Sequence, residues 1–209
     1  MKLVNDQNGY DSSYIIINGN GIYPDLLILK RICKLYNGMD KIIVFPRTPK
    51  KRFSGLSALR NIRLFLDSGF RNLIFIADRE HIMRDANAEI KNRLIGISIL
   101  DETPLQEAFL LKCRLGNRDF NLFCNISGLT NCIEEELLKL IELQLNIQID
   151  LPPIRRDGNW RSQLKAEIDK HANRKKIKRI LNEAGRSKLE SAFPNLCAIF
   201  SEIEENYEI

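Results

Sequence analysis

The chain has no apolar run near the ~20 residues that a membrane-spanning helix needs. Its opening "MKLVNDQNGYDSSY" has no basic start followed by an apolar segment, so no signal peptide is expected there. Cysteine is sparse and unpaired in pattern: Cys33, Cys113, Cys124, Cys132 and Cys197 make an odd number and form no CxxC. That argues against a disulfide framework. Four of them (Cys33, Cys124, Cys132 and Cys197) have an apolar neighbour, so they read as small buried hydrophobes in a reducing cytoplasm. The two histidines, His81 and His171, lack the spacing to complete a zinc site with them. There is no GxGxxG and no Walker motif. No Ser/His/Asp or Cys/His set can be assembled, and there are no repeats and no low-complexity tracts.

What is present is an ordinary globular composition. The 209 residues are 44% hydrophobic and 28% charged, enough for one sizeable core, with a net charge of +5. A mildly basic chain permits a nucleic-acid partner without requiring one.

The first hundred residues alternate in type. "YIIIN" (14–18), "KIIVFP" (41–46), "NLIFIAD" (72–78) and "IGISIL" (95–100) read as strands, three of them as buried. Between them, "PDLLILKRICKLYNG" (24–38), "SGLSALRNIRLFLDSG" (54–69) and "EHIMRDANAEIKNRL" (80–94) read as helices, with Pro24 and Ser54 at starts and Gly38 and Gly69 at ends. This β-α-β-α-β-α-β order predicts an α/β fold, a parallel sheet flanked by helices. Further on, "FNLFCNIS" (120–127) reads as a strand and "NCIEEELLKLIELQL" (131–145) as a helix. After a Pro/Gly-bearing connector, helices are expected over about 160–183 and 187–206. The expected organisation is an α/β domain over 1–148 and a basic C-terminal helical segment over 149–209.

In such sheets ligands bind beyond the carboxyl ends of the strands. Asn18 and Asp78 both fall there. Asp78 and Glu80, two positions apart, can share a magnesium ion through hard oxygen ligands, and such an ion suits phosphoryl chemistry. The same "DRE" has a plainer reading, in which Asp78 caps the next helix and Glu80 favours its N-terminus. "NGNG" (18–21) reads better as a turn than as a phosphate cradle.

The order of elements, with "IIING" (15–19) after the first strand and "IADRE" (76–80) after the third, resembles the Toprim domain of topoisomerases, primases and OLD-type nucleases. Gly19 matches the family glycine, and Asp78 and Glu80 match its DxD as DxE. The resemblance covers about residues 14–100. "SGLTNCIEEELL" (127–138) is similar to a later G-x-x-E helix start in small stand-alone Toprim-like proteins of unknown function. It implies that Glu134 or Glu135 supplies another acid. The resemblance implies metal-dependent processing of nucleic-acid phosphodiesters, with Asp78, Glu80 and Glu134 as magnesium ligands. The family's glutamate, however, is Asn18 here, and an amide cannot take up and release a proton near neutral pH. Asn18 could ligate a metal through its carbonyl, and Asp25 or Glu134 could substitute for the missing acid. An enzyme with altered acids and an inactive nucleic-acid- or nucleotide-binding module both follow from that departure.

Basic residues supply candidate contacts to DNA or RNA. Lys50, Lys51 and Arg52 follow the second strand, at the same edge as Asn18 and Asp78. Residues 155–188 carry twelve basic and four acidic side chains, a net +8 in a chain of +5, so the remainder is net acidic. Arg174, Lys175, Lys176, Lys178 and Arg179 form the densest part. Trp160 reads as a core anchor before a base-stacking residue, and His171 as a surface residue. A protein-interaction subunit, its basic helix meeting an acidic partner, is a third reading.

Overall fold

The computed structural model describes residues 1–5, 13–18, 23–37, 41–45, 55–83, 85–130, 132–150 and 160–205. Its centre is a seven-stranded sheet. The strands are β1 (Lys2–Val4), β2 (Tyr14–Ile16), β3 (Ile42–Val44), β4 (Asn72–Asp78), β5 (Ser98–Leu105), β6 (Ala108–Leu115) and β7 (Arg118–Ser127), in spatial order β1-β3-β2-β4-β7-β6-β5. The neighbours from β1 through to β7 pair in parallel, and β7-β6-β5 continues as an antiparallel meander. The expected α/β fold is therefore the observed one, with a mixed rather than wholly parallel sheet.

The helices are α1 (Asp25–Leu35), α2 (Ile62–Asp67), α3 (Ala86–Arg93), α4 (Ile133–Leu145), α5 (Trp160–His171), α6 (Arg174–Glu183), α7 (Arg186–Ala192) and α8 (Pro194–Glu205). Alternation along the central strands feeds two cores. Ile16, Ile74 and Phe123 point to the face covered by α1, α4 and α5 to α8, where Ile28, Ile32, Leu137, Leu164, Ile177 and Phe200 are buried. Ile15, Leu73, Phe75 and Leu122 point to the other face, against Leu59, Ile62, Leu66 and Ile90. Helices on both faces explain why β2 and β4 read as unbroken apolar runs.

Several local readings change. The strand expected at 95–100 begins at Ser98, pairs antiparallel and lies at the sheet edge; Ile95 is 86% exposed. Apolar composition alone cannot tell that edge from a buried parallel strand. A tight hairpin with Gln106 at φ +62 returns the chain as β6, for which the sequence offers no Gly turn signal. The helix expected over 54–69 is a 3₁₀ segment, Gly55–Asn61, followed by α2. The helix expected from 80 begins at Ala86, because the Asp85 side chain accepts hydrogen bonds from Asn87 N and Ala88 N. The stretch 160–183 is two helices, because Asn173 caps α6 by accepting from Lys176 N at 2.9 Å. All five cysteines are free and buried. Trp160 is 5% exposed and belongs to the core, as its anchor reading holds. Among the described residues no helix is long and apolar enough to cross a membrane.

Candidate cation site at the sheet's switch point

From β2 the chain crosses through α1 to β3 on one side, then passes under the sheet to β4 on the other. The strand order therefore reverses between β2 and β4, where α/β folds open a crevice at their carboxyl edge. Asp78 ends β4, and Asn18 lies two residues beyond the end of β2.

Asp78 is fixed by two neighbours. Its Oδ1 accepts from Ile133 N at 3.2 Å, and its Oδ2 accepts from Arg161 Nη2 at 2.9 Å. Ile133 opens α4, and Cys132 before it offers no side-chain cap. Asp78 thus caps a helix, but α4 rather than the segment that follows it. Its own segment, Arg79–His81, is one 3₁₀ turn with no side-chain cap from Asp78. The capping expectation is corrected for a simple reason: β4 pairs directly with β7, so the strand end faces the helix that leaves β7.

Arg161, near the start of α5, gathers the acids. Its guanidinium donates to Asp78, to Glu80 Oε1 at 3.2 Å, and to Glu134 Oε1 and Oε2 at 3.2 and 3.4 Å. Three carboxylates from β4, the turn after it and α4 therefore share one cation. Burial and charge act differently on each. Burial raises the Asp78 carboxyl above its ordinary range, despite the lowering by Arg161 and the Ile133 N–H. At Glu134 burial also pushes up, but Arg161's charge and hydrogen bonds win and the net direction is down. Asp25, at the first turn of α1, is pushed up to about 6 by burial and then by the charges of Asp78 and Glu134, with Arg161 pulling the other way. Asp25 is thus an electrostatic member of the same cluster.

Glu134, Glu135 and Glu136 are all buried at the start of α4. They divide their tasks. Glu134 faces Arg161. Glu135 accepts from Thr130 N at 2.8 Å and from the Thr130 hydroxyl. Glu136 accepts from the backbone N–H of Gly128 and, held in a dry setting, has its carboxyl raised to about 8, chiefly by burial. Its Oε2 has no partner among the described residues. Gly128 sits at φ +93, a conformation open to glycine, and its carbonyl accepts from Arg79 Nε at 3.1 Å. Of the two glutamates the sequence offered, Glu134 reaches the site and Glu135 holds the loop.

Asn18 does something else. Its Oδ1 accepts from Ile76 N at 3.0 Å and its Nδ2 donates to Ile76 O. Just before it, Ile17 N donates to Ile74 O at 2.9 Å. The amide therefore adds a rung to the β2–β4 ladder after the backbone of β2 has turned away. Both a donor and an acceptor are required, so a carboxylate would fit poorly. Asn18 is engaged with β4, not with the acids.

Three side chains at this edge form a group that could hold a metal ion. Ligand atoms of Asp78, Glu80 and His81 lie within 4.8 Å of one another, and Glu134 joins Asp78 and Glu80 through Arg161. His81 and Arg161 are the members that sequence reading did not assign. His81 carried one signal, its position three residues after Asp78. Arg161 carried none, being 83 positions from Asp78 and 27 from Glu134.

Among the basic candidates, Arg174, Lys175, Lys178 and Arg179 lie exposed on α6, and Lys176 donates to His171 O at 2.9 Å. His171 in turn meets Glu167 Oε1 at 3.0 Å. Lys50, Lys51, Arg52 and Gly19 lie outside the described residues. No protein-family model, curated protein or solved structure matches the chain.

Proposed function

We propose that this chain is a Toprim-like protein that processes nucleic-acid phosphodiesters with a divalent cation, magnesium by preference. The observation that carries the reading is the convergence of Asp78, Glu80 and Glu134 on one cationic group at the switch point of the sheet. A guanidinium held by all three supports a cation-sized focus between them. Their oxygens are the ligands that magnesium takes. Such an ion, when bound, neutralises phosphate charge and activates a water or hydroxyl.

The chain's own residues set the conditions. The Ile133 N–H orients Asp78, leaving Oδ2 turned to the shared focus. Arg161 balances the acids, and its side chain is 41% exposed, so it can also meet a phosphate at the rim. Glu134 is ionised by virtue of Arg161 and supplies charge from a buried position. Asn18 moves no proton. Asp25, raised to about 6, is a carboxyl of the cluster tuned to do so.

A second reading has its own support. The two-point clasp of Asn18 on Ile76 and the occupation of the carboxylates by Arg161 both suit an inactive binding module. The experiment is cleavage of labelled single- and double-stranded DNA and RNA with magnesium and with manganese, with Asp78→Ala alongside. Cleavage by the parent that is lost in a folded Asp78→Ala supports the enzyme. A folded parent that cuts none of the four substrates in either metal supports the binding module.

A further inference from the structure

The C-terminal helices are rich in basic side chains, and many of these are already engaged. Arg161 is held by three acids. Lys170 meets Glu167 at 2.6 Å, and Lys176 donates to His171 O at 2.9 Å. Arg186 meets Glu190 and Glu204 at 2.9 and 2.8 Å, and Lys188 donates to Leu143 O at 2.9 Å. The outward face of α6 is the exception. Ile177, Ile180 and Leu181 are buried, which turns Arg174, Lys175, Lys178 and Arg179 to solvent as one stripe. Lys175 and Lys178 are exposed and form no ion pair among the described residues. Arg179 meets Glu183 only at 3.7 Å, with both side chains exposed, so that pair offsets little charge. Arg174 lies 4.9 Å from the centroid of the Tyr23 ring, which carries no countercharge.

This stripe works against its own helix. Arg174 and Lys178 are like charges four positions apart, as are Lys175 and Arg179, and such pairs repel across one turn. Arg174, Lys175 and Lys176 also crowd the positive end of the helix dipole, with no acid in the first turn. Asn173, Lys175, Lys176 and Arg179 line an open hollow of about 300 Å³ there. A polyanion laid along the stripe relieves both repulsions.

What the face lacks narrows the partner. Among the described residues, no large hydrophobic side chain is exposed on α5 to α8. A protein interface is enriched in such residues, aromatic ones above all, whereas interfaces with DNA are polar and strongly basic. Binding of a single strand draws on rings on which bases stack. Trp160 is buried, and Arg174 already covers a face of Tyr23. Duplex RNA is met through its 2′-hydroxyls as well as its phosphates, and the stripe offers cations alone. Duplex DNA, with one charge about every 1.7 Å of its axis, fits a row of cations that needs only phosphates.

We propose that the outward stripe of α6 docks on the phosphate backbone of duplex DNA by charge, without reading its sequence. This rests on the nucleic-acid reading above, whose partner it names, but it needs no cation at the acidic edge. The test is fluorescence anisotropy on the full chain in a chelating buffer. The labelled probes are duplex DNA of two unrelated sequences, single-stranded DNA, duplex RNA and polyglutamate. One variant is Lys175→Gln with Lys178→Gln. Its control, Lys112→Gln with Lys139→Gln, removes as much charge from half-exposed lysines on β6 and α4. Both duplex DNAs are expected to bind alike and more tightly than the other probes. Four phosphate contacts give a slope of about −3.6 in log K against log salt. The α6 variant should bring it to about −2 and bind about tenfold or more weakly at about 50 mM salt, while the control keeps the parent's slope. Relieved of its like charges, the α6 variant should melt no lower than the parent, which separates lost contacts from lost folding. Parent-like binding by the α6 variant, an equal loss in the control, or a strong preference between the two DNA sequences overturns the proposal. Tighter binding of the single strand, duplex RNA or polyglutamate overturns it too, as does failure to bind duplex DNA. Duplex binding that depends on α6, without cleavage in magnesium, supports the proposal and removes only the catalytic reading. Cleavage in magnesium that the α6 variant leaves unchanged, with no duplex binding in chelator, does the reverse.

Discussion

Replacing Arg161 with glutamine removes the positive charge that Asp78, Glu80 and Glu134 share. Four hydrogen bonds depend on that guanidinium, at 2.9, 3.2, 3.2 and 3.4 Å. Charged hydrogen bonds contribute about 1.5–3 kcal/mol each in isolation. They do not add here, because one side chain makes them all. Breaking a fully buried ion pair costs about 3–5 kcal/mol, chiefly through the charge left behind. Glu134 is nearly buried at 4% exposed, but Arg161 is 41% exposed, so water recovers part of the loss. The expected destabilisation is about 2–3 kcal/mol in a chelating buffer at pH 7.5, read from urea unfolding. Saturating magnesium should then narrow the gap by about 1 kcal/mol or more, because a ligand present at roughly 100 times its dissociation constant stabilises by roughly 2.7 kcal/mol. An Arg161→Gln chain as stable as the parent in chelator would show that the acids need no cation. An Arg161→Gln chain whose stability magnesium leaves unchanged would refute the idea that the same carboxylates seat a divalent ion.

Two further substitutions test the rest of the site. Asp25 is raised from 3.8 to about 6 in the folded chain, so its ionisation opposes folding above pH 6. Asp25→Asn should therefore stabilise the protein by up to about 3 kcal/mol at pH 8, since each tenfold change in proton affinity is worth about 1.4 kcal/mol. The gain should fade as the pH falls from about 6 to about 4, where the native carboxyl becomes protonated; a destabilised variant at pH 8 would contradict the assignment. Asn18→Asp keeps the acceptor for Ile76 N but sets a carboxylate against Ile76 O, so a loss of about 1–3 kcal/mol is expected in thermal unfolding. A melting temperature equal to the parent's would mean that the side-chain rung is dispensable.

The parts of the fold that local pattern could reveal were those buried on both faces. β2, β3, β4 and β7 show as apolar runs because helices cover both sides of the sheet. β6 has an alternating end, with Lys112 and Arg114 exposed, and follows a hairpin built on Gln106, so neither run length nor turn chemistry marked it. The site divides in the same way. Asp78 and Glu80 announce themselves, since carboxylates that end an apolar strand interrupt its pattern. Glu134 was visible only through a motif. Arg161 was counted among the basic residues of its segment, and nothing near it in sequence points to acids so far upstream. Which of three neighbouring glutamates turns to the site is decided by the pitch of α4 and the loop beneath it, not by their chemistry.

The meander of β5, β6 and β7 has a consequence for the order in which the chain can assemble. It sets β7 beside β4, so α4, which follows β7, meets Asp78 only once β4 and β7, more than forty residues apart in sequence, have paired. The balancing arginine arrives later still, on a helix that starts at residue 160. A growing chain that has completed the sheet and α4 already holds Asp25, Asp78, Glu80 and Glu134 close together with no counter-charge from α5. Contacts of such long sequence separation form slowly. The last helices are therefore more than a cover for one face, since their docking is the step that makes the acidic edge tolerable, and the half-made chain should be the form most dependent on dissolved cations.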